Sequence, residues 1–477
     1  MTLKYYDMKQ NKLILAAMAI VLLASSCKKD FLDLEPYNQI PINQAISTES
    51  DLQAALNGVY SSFRSANIHG RTIPLIGDLM ADNVYIATVN SNRYIGEFNY
   101  AFTSNFGQSL TTLTDGYVAI QRANNVINSS LPASATVNQI RGEALALRAF
   151  TFFEMVKIFG KAYTVDASGL GVPLVLEYNP SDKPERNTVS EVYQQIDADL
   201  AEAFNLVTNT TKNSSYVTKY VVRALQAKIA FYKGDYATAK TAALDVVNNG
   251  GYILVSSANY ASYWSNPVPV ANKLETIFEI SFDGVANAGI NSLAYFYDQS
   301  GYGDAICADD LYNKYTATDV RRGRITPGVR GGQNVKIVSK YPNTNNNTDK
   351  DEVKIMRYSE LLLMLAESYA RTNDDANARM RLNEVAIIRD PSFAGYTSTG
   401  ASLLEDIINE RRKELAFEGD RYFDLMRLNR DIVRINLNNN YPPSTPLVLP
   451  TSSHKRLWPI NQTELDVNPN MVQNPGY

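Results

Sequence analysis

Two cysteines and two histidines are all the thiols and imidazoles in 477 residues. That scarcity bounds the chemistry before any element is assigned. Cys27, Cys307, His69 and His454 are scattered along the chain. No HExxH, CxxC, P-loop or GxSxG pattern occurs. A Ser-His-Asp site or a histidine-rich metal centre would have to recruit His69 or His454, and neither has a suggestive neighbourhood. Gly169-Leu170-Gly171 runs into Val172-Pro173-Leu174 and lacks the third glycine of a dinucleotide loop. A pair of carboxylates meeting in space, as in a glycoside hydrolase, stays open, because sequence spacing is silent on it. Acids such as Asp304, Asp309 and Asp310 are too common to mark a calcium site. A structural calcium ion is therefore left open, and no other cofactor is expected.

Cys27 has a chemical setting of its own. Residues 13–26, LILAAMAIVLLASS, are apolar or small, with Lys4, Lys9 and Lys12 upstream. A basic flank, a short greasy core and small residues at its end make an export signal over 1–26. The run falls short of the about 20 apolar residues that cross a bilayer. LASSC resembles the bacterial lipobox, in which the cysteine is acylated and becomes the first residue of the mature chain. Each buried methylene contributes about 0.8 kcal/mol, so two or three acyl chains hold where one would not. The polar KKDFLDLEP that follows suits a tether.

Lysine plus arginine number 45 and aspartate plus glutamate 49, a net charge of −4. No basic stripe stands out, so counterion release gives no drive toward nucleic acid. With Cys27 acylated, Cys307 has no disulfide partner, and stability must come from packing. The 30 tyrosines against 2 tryptophans suit helix seams, where a ring packs and its hydroxyl stays bonded. Trp264 and Trp458 sit among other packing residues and are assigned to the core. His454, in a basic HKR, is assigned to an exposed loop.

The positioning elements are helices. Amphipathic periodicity predicts them near 140–160, 189–207, 218–233, 235–249, 358–373, 376–389 and 403–429. Ser190-Glu191 opens one, Gly250-Gly251 closes another, and Asp390-Pro391 stops a third. Two stretches read as copies, RALQAKIAFYKGDYATAKTAALDVV at 223–247 and LLLMLAESYARTNDDANARMRLNEV at 361–385. Ala227 and Ala239 in the first match Ala366 and Ala378 in the second, small residues that let antiparallel helices approach. This is similar to the tetratricopeptide pair. Helices 140–160 and 189–207 would make a third pair split by 161–188. Between the blocks, 61–110 and 251–350 are polar and irregular, with a strand-like TIFEISFD and an asparagine run at 343–347. The proline-studded tail, 441–477, is expected to run extended over the surface.

Three segments go further: GEALALRAFTFFEMVKIFG with GVPLVL; RYSELLLMLAESYAR with NEVAIIRD; and INERRKELAFEGDRYFDLMRLNR with LWPINQTELDVNPNMVQNPGY. With the lipobox and FLDLEP, they resemble the SusD/RagB family of outer-membrane nutrient-binding lipoproteins, in the family's order and from Cys27 to Tyr477. The resemblance implies a mainly α fold. Tetratricopeptide-like pairs, about 140–250 and 358–430, form one face of a single domain over 27–477. Loop-rich insertions, about 61–110 and 251–350, form a ligand-binding face. It implies a lipid-anchored protein at the cell surface that binds oligosaccharides, has no catalytic activity and closes over a SusC-like TonB-dependent transporter. Relatives that take peptides leave a peptide-binding or scaffold lipoprotein as the alternative.

The signature ERRKELAFEGDRYFDL carries Arg411, Arg412, Glu414, Glu418, Asp420, Arg421 and Asp424. Alternating acids and bases on helices brace or solvate, so they are read as a structural network. A sugar needs flat rings with amides, carboxylates or guanidinium groups around them. By the resemblance, such groups lie in two loop stretches. One holds Asp82, Asn83, Tyr85, Arg93 and Tyr94. The other, AYFYDQSGYGD, holds Tyr295, Phe296, Tyr297, Asp298 and Tyr302, of which Tyr295, Tyr297 and Tyr302 are the platform candidates. Neither contains tryptophan, which counts against starch.

Overall fold

Several helices start at side-chain caps. Helix α1 (Glu49–Ser62) opens at Thr48, whose hydroxyl accepts from Asp51 N while the Asp51 carboxylate accepts from Thr48 N, a reciprocal cap. Then come α2 (Thr72–Leu79), α3 (Gly107–Ile127), α4 (Ala135–Phe159) and α5 (Val189–Leu206). α5 opens on a Thr188/Glu191 box, two residues before the expected Ser190. The computed structural model describes residues 46–265, 273–345 and 350–477. Thr48–Tyr477 is one compact unit, with about half of the chain helical. The export signal 1–26, Cys27 and residues 346–349 of the asparagine loop lie outside the described residues. No helix among the described residues is long and apolar enough to cross a membrane.

α4 is buried nearly all round, as expected of an inner helix, with α3 on one side and α5 on another. The sequence copies fold alike, turn included. α6 (Lys219–Lys233) and α7 (Tyr236–Asn249) form one antiparallel pair, and α8 (Tyr358–Arg371) and α9 (Asp375–Arg389) form the other. Between α6 and α7, Gly234 adopts φ 78° and Asp235 then accepts from Thr238 N. Between α8 and α9, Asn373 adopts φ 60° and Asp374 accepts from Asn377 N. A left-handed residue followed by an aspartate cap is the shared punctuation. The four matched alanines are buried at the seams. α7 packs on α8, which joins the two copies.

α10 (Gly400–Glu414) packs on α8 and α9. The expected helix 403–429 is interrupted. Phe417 (φ 69°) and Gly419 (φ 96°) reverse the chain before α11 (Arg421–Arg427). The reversal lets Gly77 of α2 meet Gly419 backbone to backbone, where a Cβ on Gly77 would lie 1.8 Å from Gly419 O. Residues 61–110, expected to be irregular, hold α2, all eight of whose residues are buried.

The other face is sheet and loop. β1 (Val84–Ile86), β3 (Ala305–Cys307), β4 (Ile325–Arg330) and β5 (Gln333–Val338) form an antiparallel sheet in the order β1-β3-β5-β4. β2 (Thr276–Ile280), in the strand-like TIFEISFD, pairs with β6 (Val353–Arg357). Gly331 and Gly332, at φ 56° and 80°, supply the two positive angles of a tight β4–β5 hairpin. The tail is not merely superficial. Trp458 and Ile460 are buried, and the Asn474 amide donates to Phe159 O and Trp458 O. Its burial follows from these bonds, which satisfy interior carbonyls.

Candidate functional site

The two candidate stretches meet through β1 and β3. Val84 faces Cys307, Ile86 faces Ala305, and Ala87 N continues the ladder to Asp304 O at 3.0 Å. Beyond the strands, loops 87–94 and 298–304 lie side by side. Arg330, at the hairpin end, staples them. It donates to Val89 O (2.9 Å), Tyr302 O (2.7 Å), Gln299 Oε1 (3.0 Å) and the buried Asp304 carboxylate (3.0 Å). Asp304 also accepts from Ser91 N and its hydroxyl. Asn90 folds its own turn by donating to Ala87 O and accepting from Asn92 N.

Of the eight sequence candidates, three reach the surface of this loop cluster. Arg93 is exposed, and Tyr295 and Tyr302 are half-buried. The Arg93 guanidinium sits 3.9 Å from the Tyr302 ring centroid. Tyr295 meets Tyr302 edge to face at 5.1 Å. Tyr302 also contacts Phe296, which contacts Tyr94. The ring of Tyr94 is buried, and its hydroxyl is shared by Arg71 Nε (2.8 Å) and Thr72 Oγ1 (2.6 Å). Tyr94 therefore supports the cluster from beneath. Leu293–Tyr297 is a short helix, so Phe296 and Tyr297 turn inward while Tyr295 turns out. Tyr297 is fully buried against Tyr341 and Phe417.

Asp82, Asn83 and Tyr85 also face inward and are buried, held by protein partners rather than set on the surface of the loop cluster. Asp82 accepts from Arg421 at 2.8 and 2.9 Å and lies 3.4 Å from Arg412. Burial pushes its carboxyl up, but the Arg421 and Arg412 guanidiniums more than offset this and hold it below the usual range. Asn83 accepts from Arg412 Nε and donates to Asp78. Asp78 in turn accepts from Phe417 N and Gly419 N. Tyr85 stacks on Tyr441 at 4.6 Å. These residues clamp α2 and the following loop to the α10–α11 turn.

The signature acids and bases continue that clamp inward. Glu414 meets Arg321, Arg357 and Arg389 at 2.8–3.1 Å. Glu275 meets Arg357 and Arg389, both at 2.6 Å. Arg427 bridges Glu367 and Asp424. All of these are buried. Buried ion pairs add little net stability over well-packed apolar residues, yet losing one partner costs about 3–5 kcal/mol. The network therefore constrains which helices meet.

Sequence reasoning missed Arg71, Asn291 and Arg330. Arg71 Nη1 donates to Asn291 Oδ1 at 3.1 Å, and its guanidinium lies 5.3 Å from the Tyr94 ring. Gly331-Gly332 signals the turn that places Arg330, but not the loops it joins. Trp264 and Trp458 are buried in the core. His69 stacks on Phe150 at 4.9 Å, and burial, with Lys157 nearby, lowers it to about 3. Among the described residues no cluster of three or more His, Cys, Asp or Glu could hold a metal ion.

Tetratricopeptide-like helix pairs carrying a sheet-and-loop face are the architecture of a SusD-like protein. Residues 282–477 match the SusD family, and residues 30–232 match a family described as starch-binding and associating with the outer membrane. A putative sugar binding protein from Bacteroides vulgatus is 30% identical, with a TM-score of 0.82 over 91% of this chain and 99% of its own. SusD-like protein P2 of Formosa agariphila is 26% identical over 98% of this chain and 100% of its own. Surface glycan-binding protein A of Bacteroides thetaiotaomicron, in complex with laminarihexaose, shares the fold at 20% identity and a TM-score of 0.70, over 90% of this chain and 100% of its own. The chain belongs to the SusD/RagB family.

Proposed function

We propose that this protein is a cell-surface lipoprotein of the outer membrane, anchored through acylated Cys27. It captures oligosaccharides without turning them over and delivers them to a SusC-like TonB-dependent transporter. The observation that carries the reading is the convergence of loops 87–94 and 298–304. It sets half-buried Tyr295 and Tyr302 beside Arg93 on a rigid, stapled base. Half-exposed rings with polar groups at their edges suit the apolar face and hydroxyl rim of a sugar. The sugar-binding and laminarihexaose-binding relatives support it. Both tryptophans are in the core, so tyrosine would do the stacking, which favours ligands other than starch.

Titration of the full chain against a panel of oligosaccharides tests this. Binding to at least one, weakened about tenfold or more in Tyr295→Ala and Tyr302→Ala (about 1.4 kcal/mol), supports it. Full affinity in both variants would move the site elsewhere. A peptide-binding reading finds support in a groove of about 660 Å³ between α3 and segment 174–184, lined by Tyr117, Ile120, Leu174, Val175 and Tyr178. Hits confined to peptides on a mixed array would favour it over the glycan reading.

A further inference from the structure

Arginine in this chain is usually matched to a carboxylate or a carbonyl. Arg148 meets Asp199, Arg330 meets Asp304, Arg412 meets Asp310, and Arg434 donates to Leu79 O and Ala81 O. Arg93 breaks that habit, and Arg71 lacks a carboxylate partner. Among the described residues no carboxylate lies within ion-pair distance of either. Arg71 donates only to neutral acceptors, the Tyr94 hydroxyl and the Asn291 amide oxygen. Arg93 rests on Tyr302 and makes no hydrogen bond to described protein atoms.

The acids nearby are already committed. Asp304 is held by Arg330 and Ser91. Asp298 accepts from Ser300 and Thr344. Glu97 is buried, which raises its carboxyl to about 7, so it carries less than a full charge at neutral pH. The two guanidiniums also share one row of rings. Arg71 lies on Tyr94, Tyr94 meets Phe296, Phe296 meets Tyr302, and Arg93 covers Tyr302. The Tyr302 ring beneath Arg93 fixes the guanidinium plane and leaves its N–H fork free, the geometry that fits carboxylate or sulfate oxygens, whereas Arg71, with Nε and Nη1 engaged, adds positive charge and its remaining N–H donors. Arg93 also covers a face of Tyr302, so a ligand reaching that side meets N–H donors before it meets a ring.

We propose that this face selects anionic saccharides, chains bearing uronate carboxylates or sulfate esters, with Arg93 and Arg71 reading the charge and Tyr295 contacting the sugar ring. This rests on the glycan-binding reading above and adds the ligand class. The test is calorimetric titration of the full chain with three hexasaccharides: a neutral glucan, a galacturonate oligomer and a sulfated galactan. At low salt, at least one anionic probe should bind ten times more tightly than the neutral one. The advantage should shrink in 0.5 M salt and disappear in the Arg71→Gln, Arg93→Gln double variant. Which anionic probe wins distinguishes carboxylate from sulfate. A cooperative thermal transition with a midpoint within a few degrees of the native protein's shows that the variant is folded, the small loss coming from the Arg71 bonds to Tyr94 and Asn291. Neutral glucan binding as tightly as both anionic probes, or a preference that survives the double variant, overturns the anion assignment and leaves glycan capture standing. Binding of none of the three overturns the assignment, and a wider panel without a single hit overturns glycan capture with it.

Discussion

Replacing Asp82 by asparagine separates a brace from a ligand contact. The Asp82 carboxylate takes two charge-assisted bonds from Arg421 and faces Arg412 at 3.4 Å, with 9% of its side chain exposed. The substitution keeps the shape, removes the ion-pair partner of Arg421 and leaves Arg412 with Asp310 alone. Removing one partner of a buried pair costs about 3–5 kcal/mol, and partial exposure of Arg421 favours the lower figure. Unfolding entropy of about 2.1 cal/mol/K per residue over about 430 residues is roughly 0.9 kcal/mol/K. A loss of about 3 kcal/mol therefore lowers the thermal midpoint by about 3–4 °C. The folded carboxyl is held below its unfolded value, so its contribution is full above about pH 4 and fades as pH falls through the folded value. The gap between wild type and variant should close in acid. Circular dichroism melts at several pH values, paired with titration of a bound oligosaccharide, read both effects. Affinity should stay within about twofold. A collapse of affinity with an unchanged midpoint would refute the brace.

Three further outcomes follow from the same packing. Gly419→Ala would place a Cβ 2.5 Å from Pro74 Cα at φ 96°, so soluble yield or the thermal midpoint should drop sharply. Gly323→Ala, which meets nothing within 4 Å, should leave both nearly unchanged. Burial raises the Glu97 and Asp351 carboxyls to about 7, above unfolded values near 4. The stability they give is full below about pH 4 and is lost as pH rises through about 7, so urea midpoints should flatten over pH 5–8 in Glu97→Gln with Asp351→Asn. Asn474→Ala strips the donor from two interior carbonyls and should cost about 1–3 kcal/mol, measurable by urea unfolding.

The helical half was legible because its signals are local. Ala227, Ala239, Ala366 and Ala378 mark seams by spacing alone, and Gly234-Asp235 and Asn373-Asp374 mark turns by backbone preference. The helix expected over 403–429 was misread at Phe417, a bulky residue at positive φ that no propensity scale would place there. Its conformation is fixed by α2 docking on the turn. The loop face was legible only in part. The family resemblance pointed to two stretches, and pairing of β1 with β3 sets them side by side. The resemblance could not tell Tyr295 from Tyr297, because that depends on a short helix in which positions two apart point to opposite sides. Asp82 and Asn83 look like ligand groups until Arg412 and Arg421, more than 300 residues away, are seen beside them. Arg71 carries no local signal, Gly331-Gly332 marks only the turn beside Arg330, and long-range contacts bring both arginines to the face.

The most direct test of the account is titration of the full chain and its Tyr295→Ala, Tyr302→Ala double variant with one oligosaccharide found by panel screening. The account predicts saturable binding by the native protein, loss of at least tenfold in the variant and no release of reducing ends from either. Equal affinity in both proteins, or sugar cleavage by the native one, would contradict it.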